Sequence, residues 1–157
     1  MEKERINYEV VVGNTGDIRA IAQFQVDMAL ESEGTVLDIE TVLPGVTAAM
    51  NDPQKGTYIV ARVNGEPISS LMLTREWSDW TNRWYWWIQS VFVKPEYRGK
   101  GAYRAMYERI KEMAKENGVN QIRLYVDKTN YRLRRFTRKW VWMSAITLCM
   151  KRYWDNR

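Results

Sequence analysis

The four residues Arg98-Gly99-Lys100-Gly101 have the composition of a phosphate cradle. Glycines, having no Cβ, let backbone N–H groups converge on an anion. The chain reaches them from the apolar run Ser90-Val91-Phe92-Val93 through Lys94-Pro95-Glu96-Tyr97, and an amphipathic helical pattern follows at once. A helix start presents unpaired N–H groups and a partial positive charge to whatever lies before it. Strand, glycine loop and helix in that order therefore predict a pyrophosphate site. Spacing excludes two common loops: a Walker loop needs Gly, four residues, Gly-Lys and Ser/Thr, and a dinucleotide fingerprint needs G-x-G-x-x-G. Neither pattern occurs.

The elements that must position this loop can be read on either side of it. Ile6 to Val12 predicts a short strand and Gly13-Asn14-Thr15-Gly16 a turn, with Asp17 placed to cap a helix carried by Ile18, Ile21, Ala22, Val26 and Ala29. Thr35 with Asp38 has the form of a capping box for a second helix, interrupted near Pro44-Gly45 and ended by Asn51-Asp52-Pro53. Thr57 to Val63 and Pro67 to Thr74 read as strands joined by Asn64-Gly65-Glu66, a hairpin signal. Trp84 to Val93 is a long aromatic strand. After the loop, Tyr103, Met106, Tyr107, Ile110, Met113 and Ala114 mark one face of a helix that stops before Gly118. Gln121 to Asp127 then alternates as a strand with one buried face. The pattern predicts an α/β domain with a mixed, mostly antiparallel sheet flanked by helices.

Val91 to Ala105 resembles the acyl-CoA loop of the GNAT superfamily of N-acyltransferases, whose pattern is Arg/Gln, two residues, Gly, one residue, Gly or Ala. Arg98 and Gly101 fit it, whereas Tyr103 stands where the last small residue belongs and could crowd a pyrophosphate. Asn130, shortly after the strand ending in Asp127, matches the Asn that opens the family's next helix, and the resemblance runs from about Ile6 to Lys139. It implies a GNAT-like fold that binds acetyl-CoA as co-substrate and transfers acetyl to an amine. Backbone groups of Val91 and Val93 would hold the pantetheine arm, and N–H groups of Arg98, Gly99, Lys100, Gly101, Ala102 and Tyr103 would hold the diphosphate. Asn130 would bond the cofactor's arm, or serve as a plain helix cap.

Direct transfer needs a neutral amine, a polarised carbonyl and a proton for the departing thiolate. The family often supplies that proton from a Tyr seven residues beyond the Asn, and here Thr137 occupies the position. An aliphatic hydroxyl is a far weaker acid than a phenol. Tyr131 would point to another face of the helix. Gln89 on the aromatic strand cannot take a proton, so a base would have to come from Glu31, Glu33, Glu40 or Asp79, each of which also reads as a solvated carboxylate. The catalytic residues thus stay unassigned. Cys149 has no His to activate it, which disfavours a covalent route.

A chain of 157 residues with 45% hydrophobic and 27% charged residues predicts a single globular domain over 1–157. One Cys and no His leave no internal disulfide and no set of zinc ligands. Met1-Glu2-Lys3-Glu4-Arg5 leads into no apolar signal region, and the uncharged stretch Trp140 to Met150 is well short of the roughly 20 residues a membrane helix requires. A cytoplasmic protein without a membrane partner is expected.

Residues 130–157 carry a net charge of +7 and the rest of the chain −2. Leu133, Phe136 and Trp140 would form one helical stripe among Arg134, Arg135, Arg138 and Lys139, and Lys139-Trp140-Val141-Trp142 lacks the Gly with which the family closes this helix. Three explanations compete for this segment. The stripe packs on the sheet beneath a solvated basic face; a groove holds nucleic acid, though no nucleic-acid motif accompanies it; or Arg134, Arg135, Phe136, Arg138, Trp140 and Trp142 form a protein-binding surface. The last defines an alternative function, a GNAT domain diverged or engineered into a scaffold that captures a protein partner. Trp77, Trp80, Trp84, Trp86 and Trp87 would be core, sheet surface or a flat apolar wall for the acceptor.

Overall fold

Residues 6–124 are described by a computed structural model. The chain divides into two units, Met1–Leu124 and Tyr125–Arg157, and the described residues belong to the first. The expectations placed on Asn130, Tyr131, Thr137, Cys149 and the Arg134 to Trp142 surface lie outside the described residues.

In chain order the elements are β1 (Glu9–Val12), α1 (Ile18–Glu33), α2 (Ile39–Met50), β2 (Thr57–Val63), β3 (Glu66–Ser78), β4 (Arg83–Val93), α3 (Ala102–Glu116) and β5 (Gln121–Leu124). The strands lie side by side in the order β1-β2-β3-β4-β5. Every neighbouring pair is antiparallel except β4 with β5, which are joined through α3. The fold is thus the α/β class with a mixed, mostly antiparallel sheet that the pattern predicts. Among the described residues no helix is long and apolar enough to cross a membrane.

β2 shows why the sheet is covered on both faces: Tyr58, Ile59, Val60 and Ala61 are all buried in succession. Tyr58 and Val60 pack with Ile21 and Ala22 of α1 and Val46 and Ala49 of α2. Ile59 and Ala61 alternate to the opposite face, where α3 buries Met106, Ile110 and Ala114. On that face the Ser69 hydroxyl reaches both the Phe92 carbonyl at 2.6 Å and the Met106 sulfur at 3.6 Å. The Asn64-Gly65 turn joins β2 to β3 with both residues left-handed, at φ 52° and 82°, as its residue types require.

Several boundaries differ from the sequence expectation. β1 begins at Glu9 rather than Ile6: its first partner, Arg62, lies one residue from the end of β2, which leaves almost no strand for earlier residues to pair with. Asp17 does not cap α1. Asn14 instead caps the 3-10 turn Thr15–Asp17 that leads into α1, its Oδ1 accepting the Gly16 N–H at 2.8 Å, while Asp17 Oδ2 accepts the Asn14 N–H at 2.9 Å. The other Asp17 oxygen meets Arg62 NH2 at 2.5 Å, so its carboxylate is buried as half of an ion pair. Thr35 closes α1 instead of opening α2. Gly34 is left-handed at φ 65°, and the Gly34 and Thr35 N–H groups return to Leu30 and Ala29. Asp38 alone caps α2, accepting the Glu40 N–H at 3.0 Å. The helix continues through Pro44, whose missing N–H faces the carbonyl of Glu40, an exposed residue of the first turn.

The tryptophans form no single wall. Trp86 is buried, Trp87 donates its Nε1–H to Glu76 Oε2, and Trp77 and Trp84 meet edge to face with centroids 5.1 Å apart on an exposed stretch of the β3–β4 hairpin. Trp80, at the tip, is 94% exposed.

Candidate active site

The site is built on an irregularity in β4. Ser70 pairs with Phe92 and Met72 with Gln89, so one β3 residue, Leu71, lies opposite two on β4, Ser90 and Val91. The extra residue makes a β-bulge, and Ser90 takes the left-handed conformation at φ 54° to accommodate it. A bulge bends its strand and redirects the backbone groups around it. The described pairing of β4 with β5 covers Tyr85 to Ile88, immediately before the bulge.

Five residues past the end of β4, after a short 3-10 turn at Pro95–Tyr97, the chain enters the glycine loop at Arg98. Gly99 and Gly101 are left-handed at φ 73° and 98°, and Gly101 is the residue from which α3 starts. A Cβ at either position would meet no atom within 4 Å. The space before α3 is therefore open, and the Tyr103 side chain does not close over the glycines. The Tyr103 ring stacks instead on Tyr107 one turn along, centroids 6.4 Å apart, and burial raises its hydroxyl above the usual tyrosine range.

The loop uses some of its own amides. The Arg98 N–H donates to the Pro95 carbonyl at 3.2 Å and the Lys100 N–H to the Tyr97 carbonyl at 3.3 Å, while the Ala105 N–H begins the helical ladder onto Gly101. Among the described residues the N–H groups of Gly99, Gly101 and Ala102 have no acceptor. They stand at the positive end of a 15-residue helix, which is the arrangement that receives an anionic phosphate. Tyr8 steadies the loop from outside by donating its hydroxyl to the Lys100 carbonyl at 3.1 Å.

The Arg98 side chain turns back toward β4. Its Nε donates to the Val93 carbonyl at 2.8 Å and its NH2 to Glu31 Oε2 at 2.7 Å. Of the backbone groups expected to hold a pantetheine arm, the Val93 carbonyl is thus shared with Arg98.

The candidate bases are dispersed. Glu31 is paired with Arg98, Glu33 ends α1, Glu40 lies in the first turn of α2, and Asp79 lies in the β3–β4 turn. None converges with another at the bulge. Gln89, beside the bulge, donates its amide to Thr74 Oγ1 at 2.6 Å. A polar group that the sequence reading missed is Glu76, which accepts from Trp87 and from Arg123 NH1 at 3.3 Å. The Arg123 guanidinium lies 4.2 Å from the Tyr85 ring centroid, and Glu76 is the direct register partner of Tyr85. Extending β3 past Thr74 would have placed Glu76 among these aromatics.

The fold agrees with what is found among known proteins. The chain matches the Acetyltransferase (GNAT) family over residues 20–141. An uncharacterized N-acetyltransferase of Archaeoglobus fulgidus is 34% identical over 83 residues, 52% of this chain and 56% of that protein. Thialysine N-epsilon-acetyltransferase of Sus scrofa is 36% identical over 67 residues, 40% and 39% of the two chains. These matches span about half or less of the length of the curated relatives. The crystal structure of a possible acetyltransferase from Clostridium difficile 630 superposes with a TM-score of 0.80 at 35% identity, covering 93% of this chain and 96% of that one. The chain belongs to the GNAT acetyltransferase family.

Proposed function

We propose that this chain binds acetyl-CoA along β4 and the glycine loop and transfers the acetyl group to an amine. The observation that carries this reading is the continuous path from the Ser90–Val91 bulge to the open, left-handed glycines at the start of α3. The bulge exposes strand backbone to an extended amide-bearing arm. The Gly99, Gly101 and Ala102 amides, with the α3 N-terminus, suit a diphosphate. Lys94 and Lys100 add positive charge nearby. Residues 1–157 are read as one domain, which the family match supports by crossing from one unit of the chain into the other. A cytoplasmic setting goes with this reading.

Bound acetyl-CoA supplies a thioester whose acyl carbon is open to attack by an amine. The loop would fix the long anionic end, so that the short acyl end reaches the bulge in one orientation. Gln89 and Thr74, joined to each other beside the bulge, are placed to orient an acceptor without taking its proton.

Thermal unfolding with and without about 1 mM acetyl-CoA tests the binding step. A ligand near 100 times its dissociation constant adds about 2.7 kcal/mol, on the order of 5–10 °C for a chain of this size. No shift overturns the reading. Release of free thiol from acetyl-CoA with a panel of amines, thialysine and lysine among them, then tests transfer.

A further inference from the structure

Two residues of α1, Phe24 and Glu31, lie seven positions apart and so share a helix face two turns from each other. Both engage the end of β4. Phe24 stacks on Phe92 with centroids 5.1 Å apart and an interplanar angle of 24°. The Arg98 guanidinium lies 5.5 Å from the outer part of the same stack, the Phe92 ring, and its two ends reach the Val93 carbonyl and the Glu31 carboxylate. The guanidinium is therefore held by three groups in a planar fork, a geometry an ammonium could not reproduce. Arg98 is also the residue from which the chain turns into Gly99, so fixing its side chain fixes where the loop amides begin.

We propose that Glu31 is a positioning residue for the acetyl-CoA loop, clamping Arg98 across the end of β4. This rests on the reading of the loop as the diphosphate site. The role differs from that of a general base: Glu31 acts through Arg98 on the loop and touches neither the amine nor the thioester. Both side chains are partly exposed, at 39% and 45%, so the pair adds little to global stability, and its effect is local order.

Two measurements on the intact chain test it. In amide hydrogen exchange without ligand, Glu31→Ala and Arg98→Ala should each speed exchange over residues 94–101 by several-fold. Asp27→Ala, which removes another α1 carboxylate that accepts from Gln23, should leave those residues unchanged. In acetyl-CoA titration, Glu31→Ala should raise Kd about fivefold, Glu31→Gln should recover part of the loss, and Arg98→Ala combined with Glu31→Ala should be no weaker than Arg98→Ala alone. At saturating acetyl-CoA, Glu31→Ala should keep its kcat, so that its loss lies in KM for acetyl-CoA. Unchanged loop exchange in Glu31→Ala, additive losses in the double variant, or a collapse of kcat at saturation would each overturn the proposal. Failure of the unaltered chain to bind acetyl-CoA would instead remove the functional reading, and the exchange result would still decide whether Glu31 orders the loop.

Discussion

Asp17 is a carboxylate that water barely reaches, 2% exposed, and its charge is tolerable because Arg62 and the Asn14 N–H both meet it. Burying a charge is costly unless it is paired, so the pair should reveal itself when broken from one side. Arg62→Leu leaves the carboxylate stranded and should cost about 3 kcal/mol in urea unfolding. Arg62→Leu combined with Asp17→Leu should recover part of that loss, since no charge is left unpaired although the Asn14 N–H loses its acceptor. Equal losses in the single and double variants would show that the pair is not what holds the turn before α1. Residue types alone suggested a simpler role for Asp17, as a helix cap. The competing cap, Asn14, lies three positions earlier, and the partner that claims Asp17 is 45 positions away.

At the scale of elements, the parts legible in sequence were those whose signals are local. β2 occupies Thr57–Val63 as predicted because an apolar run and an Asn-Gly turn bound it, and α3 follows from its own period. β3 was expected to stop at Thr74, since Arg75 and Glu76 look like loop residues. They belong to the strand because Trp86 and Tyr85 stand opposite them, and neither strand alone carries that information. The bulge was equally hidden: a Ser-Val pair says nothing of φ, and only the register with β3 demands an extra residue. The left-handed conformation costs a non-glycine residue roughly 1 kcal/mol. Ser90→Gly should therefore keep the bulge, melt no lower than the unaltered chain and still bind acetyl-CoA. Ser90→Val, β-branched where φ is positive, should melt lower by about 1–2 kcal/mol and bind acetyl-CoA more weakly. Unchanged binding in the Val variant would separate the bulge from the site.

At the scale of the whole molecule, the buried phenols among the described residues should make stability fall at alkaline pH. Burial raises Tyr58, Tyr103 and Tyr107 above the usual range, partly offset at Tyr107 by Lys111. A raised folded-state value means that the stabilisation is complete below the unfolded value near 10 and is lost as pH rises beyond it, by up to about 1.4 kcal/mol per pH unit for each phenol. Tyr85 works in the opposite sense, lowered by hydroxyl hydrogen bonds with Ser78 and Thr81 and by the Arg123 charge. Chemical unfolding followed from pH 9 to 11.5 should show stability falling, with a shallower fall in Tyr103→Phe; identical slopes would mean that Tyr103 ionises without resistance. The order of the sheet has a further consequence for how the chain is made. Each strand from β2 to β4 lies beside the one synthesised just before it, so the four strands β1 to β4, with α1 and α2, can assemble as the chain leaves the ribosome. The glycine loop, α3 and the parallel partner of β4 emerge afterwards. Synthesis thus completes the framework, with the bulge already in it, before it makes the glycine loop, and the growing chain can hold a folded scaffold before it has the part that would hold a diphosphate.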